Sequence, residues 1–343
     1  MARRPTIKDI ARQAGVSQSA VSFALNDRPG VSQDTRARIR RVAEELGWQP
    51  NSAARALSGE QSGAVGLVLA RPAHTLGVES FFLQLVSGIQ EVLAAGRIAL
   101  LFQVAPDIDA ECAVYRRWWA ERRVDGVIVV DPRTDDPRPA LLEQLALPAV
   151  TVGETDPPST LSAVRADDAG AMAQVLDHLH GLGHRRIAHV AGLPGLAHTE
   201  RRIRSLRTEA ARLGLGPGQV RSVATDYSDV EGAAATRRIL AEPRPPTAIV
   251  YDNDVMAVAG AAVAAELGIP VPDRLSIVAW DDSALCRVTH PRLTALVRDT
   301  GAFGRVAAEE LLALLAGSPP RSRESERPRL EPRESTAPPP AAY

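Results

Sequence analysis

The sequence predicts a small all-α unit followed by a larger α/β body made of two similar halves with parallel sheets. Three observations carry this expectation. The first 48 residues hold helix caps and turn residues at intervals too short for strands between them. From Gly63 onward, short apolar runs alternate with amphipathic helical stretches. After Asp167 the same alternation begins again.

In the first unit, "TIKD" starts a helix with Thr6 as N-cap and Asp9 three residues on, and Gly15 ends it. Ser17 caps a second helix running from Gln18 to about Asn26, and "NDRPG" follows with turn chemistry. Ser32 caps a third, in which Ile39, Val42, Ala43 and Leu46 fall on one stripe before Gly47. Pro50 breaks the chain, and Ser52 to Leu57 has room for about one and a half turns, a helix that is marginal alone in water.

In the body, "AVGLVLA", "RIALLFQVA", "VDGVIVVD" and "LPAVTVG" read as strands buried on both faces. "FFLQLVSGIQEVLAAG" and "AECAVYRRWWAERR" read as the helices between them. Parallel strands joined through helices imply right-handed crossovers. The second half repeats the scheme through "AGAMAQVLDHLHGLG", "RIAHVAG", "ERRIRSLRTEAARLG", "VRSVATD", "TAIVYDN" and "LSIVAWDD". A last helix, "GAFGRVAAEELLALLAG", precedes a Pro- and Arg-rich tail whose composition predicts partial disorder or a final strand. The expected division is 1–49 for the helical unit and 50–62 for the linker. The body is then 63–318, with a first lobe of about 63–164 plus 293–318 and a second of about 165–292. The tail is 319–343.

Composition narrows the function classes. The net charge of −1 is unevenly spread: residues 1–61 carry ten Lys/Arg and six Asp/Glu, net +4, which leaves −5 for the rest. A basic unit on an acidic body suits a polyanion partner at one end. Cys112 and Cys286 give neither metal-finger spacing nor a disulfide framework, and read as reduced thiols of a cytoplasmic protein. No apolar run is long enough to span a membrane, and "MARRPTIKDIARQAG" has no apolar segment behind its arginines, against a signal peptide.

On a helical wheel Gln18, Ser19, Ser22 and Phe23 share one face of the second helix, and Ala20, Val21, Ala24 and Leu25 the other. The second face is small and apolar and can pack on its two neighbours. The first begins at the helix N-terminus and carries an amide, two hydroxyls and a ring, the layout of a recognition helix in a major groove. Amides and hydroxyls can bond base edges, and an apolar ring can meet a thymine methyl. A merely solvated face is the plainer alternative.

The stretch "TIKDIARQAGVSQSAVSFALNDRPGVSQDTRARIRRVAEELGWQPNSAARALSG" resembles the headpiece of the LacI family of bacterial transcriptional regulators. "FFLQLVSGI", "RRVDGVIVV", "LGHRRIAHVAG", "PPTAIVYDNDVMA", "LSIVAWDD", "PRLTALVRD" and "RESTAPP" extend the resemblance to the family's effector-binding body, over nearly the whole chain. It implies a helix-turn-helix domain with a hinge helix, followed by a two-lobed α/β periplasmic-binding-protein-like domain. It further implies a dimeric repressor of a pseudo-palindromic double-stranded DNA operator, controlled by a sugar bound between the lobes, with no cofactor, metal or membrane.

By the same resemblance Gln18, Ser19 and Phe23 read bases, while Thr6, Ser17, Ser22, Ser32 and Thr35 contact the DNA backbone. Asn51, Arg55 and Leu57 form the hinge, with Leu57 as a minor-groove wedge. Phe81, Phe82, His198, Arg202, Tyr227, Asn253 and Asp281 contact the effector. Asp281 would accept from paired hydroxyls, Arg202 and Asn253 bond others, and Phe82 or Tyr227 stack on the ring.

Four departures bear on these assignments. Phe23 stands where many members carry arginine, which removes a bidentate guanine contact. Gly153 stands where several place an aspartate, so one hydroxyl contact is either missing or supplied by Glu154. Trp280 replaces a usual Phe or Tyr as packing, and "RPAHTLGVESFF" is longer than the usual loop.

Rival functions fare worse. An enzyme on a doubly wound fold needs a phosphate-cradling loop, and "HVAGLPGL" lacks the spacing. A solute-binding protein predicts an export signal and no headpiece. A purine-responsive or other metabolite-responsive regulator of the same family uses the same cleft positions and is not separated from the sugar reading by sequence.

Overall fold

A computed structural model describes residues 5–48, 61–71 and 80–340. The described chain divides into two compact units, Met1–Ser62 and Gly63–Tyr343.

The first unit holds α1 (Ile7–Ala14), α2 (Gln18–Leu25) and α3 (Gln33–Glu45). The Asp9 carboxylate accepts from the Thr6 backbone N–H at 2.9 Å and from its hydroxyl at 2.6 Å, and Gly15 closes α1 at φ +65°. Ser17 accepts from the Ala20 N–H at 3.2 Å and Ser32 from that of Thr35 at 3.4 Å, so each helix starts on a side-chain oxygen. Ile10, Ala11, Ala14, Val21, Ala24, Ile39, Val42 and Ala43 form the core.

The second unit contains two six-stranded sheets. The first sheet uses β1 (Ala64–Ala70), β2 (Ala99–Ala105), β3 (Gly126–Val129), β4 (Ala149–Val152) and β5 (Ser162–Arg165). Between them lie α4 (Ser80–Ala95), α5 (Ile108–Ala120) and α6 (Arg138–Gln144). The second sheet uses β6 (Ile187–Ala191), β7 (Val220–Ala224), β8 (Ala248–Tyr251), β9 (Ser276–Ala279) and β10 (Thr294–Val297). Its helices are α7 (Asp168–Gly181), α8 (Ala197–Arg212), α9 (Asp229–Leu240), α10 (Asp254–Glu266) and the short α11 (Ala284–Val288). After α12 (Thr300–Leu315) come β11 (Ser322–Glu324) and β12 (Arg329–Glu331).

The strand orders are β11-β5-β4-β3-β1-β2 and β12-β10-β9-β8-β6-β7. The two halves therefore share one doubly wound order. All strands are parallel except the β10–β12 pair, which is antiparallel. In this order the strand sequence reverses beside β1 and β6, and the crevice beyond the strands' carboxyl ends at that point is where a ligand fits.

One expectation is corrected. The first lobe was to include 293–318, but β10 pairs with β9 and so belongs to the second sheet. Of that stretch only α12 returns to the first lobe, where Gly304 lets it lie against α4: a Cβ there would meet the Leu85 carbonyl oxygen at 2.2 Å. The chain thus crosses between lobes three times, before α7, before α12 and between β11 and β12.

Of the two states expected of the tail, partial disorder or a final strand, the strand is found: residues 319–340 supply an edge strand to each sheet, and Ser335 is clamped between β9 and β10. Its hydroxyl donates to the Ile277 carbonyl at 2.6 Å and accepts from the Thr294 N–H at 2.8 Å. Composition leaves the choice open because backbone hydrogen bonds to existing sheet edges, rather than apolar side chains, hold the segment.

Candidate functional site

The first site is the outer face of α2. Val21 and Ala24 are buried, whereas Gln18, Ser19 and Phe23 are exposed and Ser22 is half-buried. Phe23 keeps 39 % of its surface in solvent and lies against Gly30. Thr6, Ser17, Ser32 and Thr35 sit at the three helix N-termini, where free N–H groups and the helix dipole favour an anion.

Arg36 has a structural task that composition could not assign. Its guanidinium donates to the carbonyls of Ala24 (3.1 Å) and Arg28 (2.8 Å) and to Asp27 (2.9 Å), closing the end of α2. The hinge candidates Asn51, Arg55 and Leu57 lie outside the described residues, as does most of the loop before α4.

The second site is the cleft at the carboxyl ends of both sheets. All seven effector candidates, Phe81, Phe82, His198, Arg202, Tyr227, Asn253 and Asp281, line it. Their environments differ from what was expected of some. Arg202 stacks at 4.2 Å over the Trp280 ring and pairs with Asp168 at 3.3 Å and Asp252 at 3.2 Å. Trp280 is therefore the platform for Arg202 rather than passive filling. Asn253 caps α10, accepting from the Met256 N–H at 2.8 Å, and its amide donates to the Tyr227 carbonyl at 3.0 Å. Asp281 accepts from Arg298 at 2.6 Å.

Tyr227 is held at φ +71° on the loop after β7, and its hydroxyl bonds His198 at 2.9 Å and Thr199 at 3.1 Å. The ring fits because residue 192 is glycine: a Cβ there would lie 1.8 Å from the ring carbon bearing the hydroxyl. Burial, helped by the nearby Arg202 charge, pushes His198 down to about 4, so the imidazole is neutral at pH 7.

Residues outside the seven effector candidates complete the cleft: Arg71, Asp131, Asp168, Arg201, Asp252 and Arg298. Burial works against the Asp252 charge, but Arg202, His189 and the Gly192 N–H outweigh it and hold its carboxyl well below the usual range. Burial opposes the Asp131 charge too, and Arg71 foremost overrides it. Beneath Asp131, the buried Arg138 donates to the carbonyls of Val130 (2.9 Å) and Asp131 (2.8 Å), fixing a left-handed backbone at Asp131 (φ +51°).

A usable signal existed. Arg71, Asp131, Asp252, Asp281 and Arg298 each stand one or two residues beyond a strand's carboxyl end, where doubly wound sheets bind ligands. Glu154, the candidate substitute for a missing aspartate, is not among the residues lining the cleft and pairs with Arg165 at 3.3 Å. Gly153 does line it, at φ +102°.

Comparison with known proteins covers both units. Residues 6–51 match the model for bacterial regulatory proteins of the lacI family, and residues 176–336 that for a periplasmic-binding-protein-like domain. The HTH-type transcriptional regulator CelR of Thermobifida fusca is 30 % identical over 92 % of this chain and 93 % of its own length. Among solved structures, a CelR–cellobiose complex is 28 % identical, covers 97 % of this chain and all of that one, and superposes with a TM-score of 0.74. A lac repressor dimer bound to operator and an anti-inducer shares the fold, with a TM-score of 0.84 over 98 % of this chain and all of that one at 24 % identity.

Proposed function

Because the chain belongs to the LacI family of DNA-binding transcriptional regulators, we propose that it is a cytoplasmic, homodimeric repressor whose operator affinity is set by a sugar bound in the cleft of residues 63–340. The observation that carries the DNA half is the exposed Gln18, Ser19 and Phe23 face, which begins at a capped helix N-terminus. Gln18 and Ser19 bond base edges, and Phe23 selects a thymine methyl where arginine would select guanine. Thr6, Ser17, Ser22, Ser32 and Thr35 fix the register on the backbone without reading sequence. Asn51, Arg55 and Leu57 form a hinge that orders on the minor groove of a pseudo-palindromic site.

The cleft supports the effector half. Aromatic faces lie beside carboxylates whose positions are fixed by arginines, the chemistry that recognises a ring with an apolar face and a rim of hydroxyls. Exposed Leu83 on α4, together with Phe102 and Val104 on the edge strand β2, offers an apolar surface for a second copy. A ligand that prefers one arrangement of the lobes shifts the pair of headpieces by its differential affinity and by nothing else.

The test is a thermal-shift screen of the purified protein against sugars, sugar phosphates and nucleobases. A ligand at a hundred times its Kd adds about 2.7 kcal/mol. A sugar shift that Asp281→Ala abolishes supports the reading. A shift with nucleobases alone refutes the sugar effector and leaves the DNA-binding assignment intact.

A further inference from the structure

The cleft is narrower than its ring of lining residues suggests, and one side chain narrows it. Arg71 leaves the carboxyl end of β1 and is buried to 4 % exposure. Its Nε donates to Asp131 at 2.6 Å, and its guanidinium carbon lies 5.1 Å from the centre of the Phe82 ring and 4.8 Å from that of Tyr227. Both distances fall within the range of a cation–π contact. The guanidinium therefore occupies the gap between two aromatic rings contributed by opposite lobes. That gap is where the apolar face of a sugar ring would otherwise stack.

Charge narrows the class of ligand. Arg71 pairs with Asp131, Arg201 and Arg202 with Asp168, Arg202 also with Asp252, and Arg298 with Asp281. Each of these cations is paired with a carboxylate, and Asp254 adds a further carboxyl group to the lining, so the remaining room suits a ligand without an anionic group. Swinging Arg71 aside would strand the Asp131 carboxylate in a site where a lone charge is heavily penalised.

We propose that Arg71 sets the size of effector the cleft accepts. The native protein takes a single neutral monosaccharide, and the position a second sugar ring would fill, between Phe82 and Tyr227, is held by Arg71. The inference rests on the carbohydrate reading of the cleft given above. It makes Arg71 a specificity-determining residue rather than a general contact, since truncation should enlarge the set of ligands instead of only weakening one.

The experiment is isothermal titration and thermal shift of the full chain with D-glucose, D-galactose, D-mannose and D-xylose, and with cellobiose, maltose and trehalose. The same panel is run on Arg71→Ala and on Arg71→Ala/Asp131→Asn, the second variant removing the stranded carboxylate should the first fold poorly. The expected result is a monosaccharide response in the native protein with no disaccharide response at equal concentration. At least tenfold tighter disaccharide binding is expected in a folded Arg71 variant. A native protein that binds a disaccharide as tightly as a single ring overturns the proposal, and so does a folded variant that gains no disaccharide. Silence from every sugar in all three proteins instead overturns the carbohydrate reading itself, and this proposal with it.

Discussion

Asp252→Asn tests whether the floor of the cleft is held by charge. Asp252 follows β8 directly and is 1 % exposed. One carboxylate oxygen accepts from His189 Nε2 at 2.9 Å and faces Arg202 at 3.2 Å; the other accepts from the Gly192 N–H at 2.9 Å. Asparagine keeps the shape but replaces one acceptor by a donor that must point at either the imidazole or a backbone N–H. It also leaves Arg202 with Asp168 as its only carboxylate partner among the described residues. Breaking one side of a buried pair costs about 3–5 kcal/mol, a large share of a native stability of about 5–15 kcal/mol. At about 2–4 °C per kcal/mol for a unit of this size, the melting temperature should fall by roughly 6–20 °C.

The pH dependence gives an independent check. Asp252 titrates lower in the folded chain than in the unfolded one, so its contribution is full above the unfolded carboxyl value near 4 and is lost as pH falls below it. Urea unfolding followed by circular dichroism should show the native protein losing stability on acidification below about pH 4 more steeply than the variant. A loss smaller than about 1 kcal/mol at pH 7, or identical acid limbs for the two proteins, would refute the reasoning.

Other positions give sharper local tests. His184 is buried, bonded to Thr247, Ser276 and the Ala337 carbonyl, and burial pushes it down to about 4. Its folded value lies below the unfolded 6.5, so its contribution of about 3 kcal/mol is present above pH 6.5 and disappears towards pH 4; a melting temperature flat between pH 7 and 5 would contradict this. Gly192→Ala should expel the Tyr227 ring and abolish effector binding, whereas Gly218→Ala, with open space around its Cβ, should change neither binding nor melting. Arg36→Ala should lower headpiece stability by about 1–3 kcal/mol without altering base preference. Gln18→Ala should do the reverse, costing about 1–3 kcal/mol at one operator position, read by gel shift on operator variants. Leu57→Ala should weaken specific operator binding far more than non-specific binding, and equal losses would count against a wedge.

Much of the molecule was legible in its residue pattern because local physics decides it. The caps at Thr6, Ser17 and Ser32, the left-handed Gly15 and the stripe of Ile39, Val42 and Ala43 follow from hydrogen-bonding capacity and helical period alone. The repeated strand–helix alternation set the class of both halves, and apolar runs such as "AVGLVLA" marked strands buried on both faces. Resemblance of motifs then placed seven residues in one cleft, and the structure gathers all seven. The outer face of α2 was equally readable, since eight residues of a short helix leave few ways to bury Val21 and Ala24.

What the sequence could not reveal is which charged group meets which. Arg71 and Asp131 are 60 positions apart and pair because β1 and β3 end side by side. Arg202 and Asp252 are 50 apart and pair because α8, the helix after β6, brings Arg202 to the end of the neighbouring β8. The order of the Pro- and Arg-rich tail has the same origin, since it borrows its hydrogen bonds from sheet edges formed far upstream. Local periodicity fixes what a segment wants to bury. Only the closed tertiary structure decides which buried charges must share a site, and here that decision put an arginine between two aromatic rings.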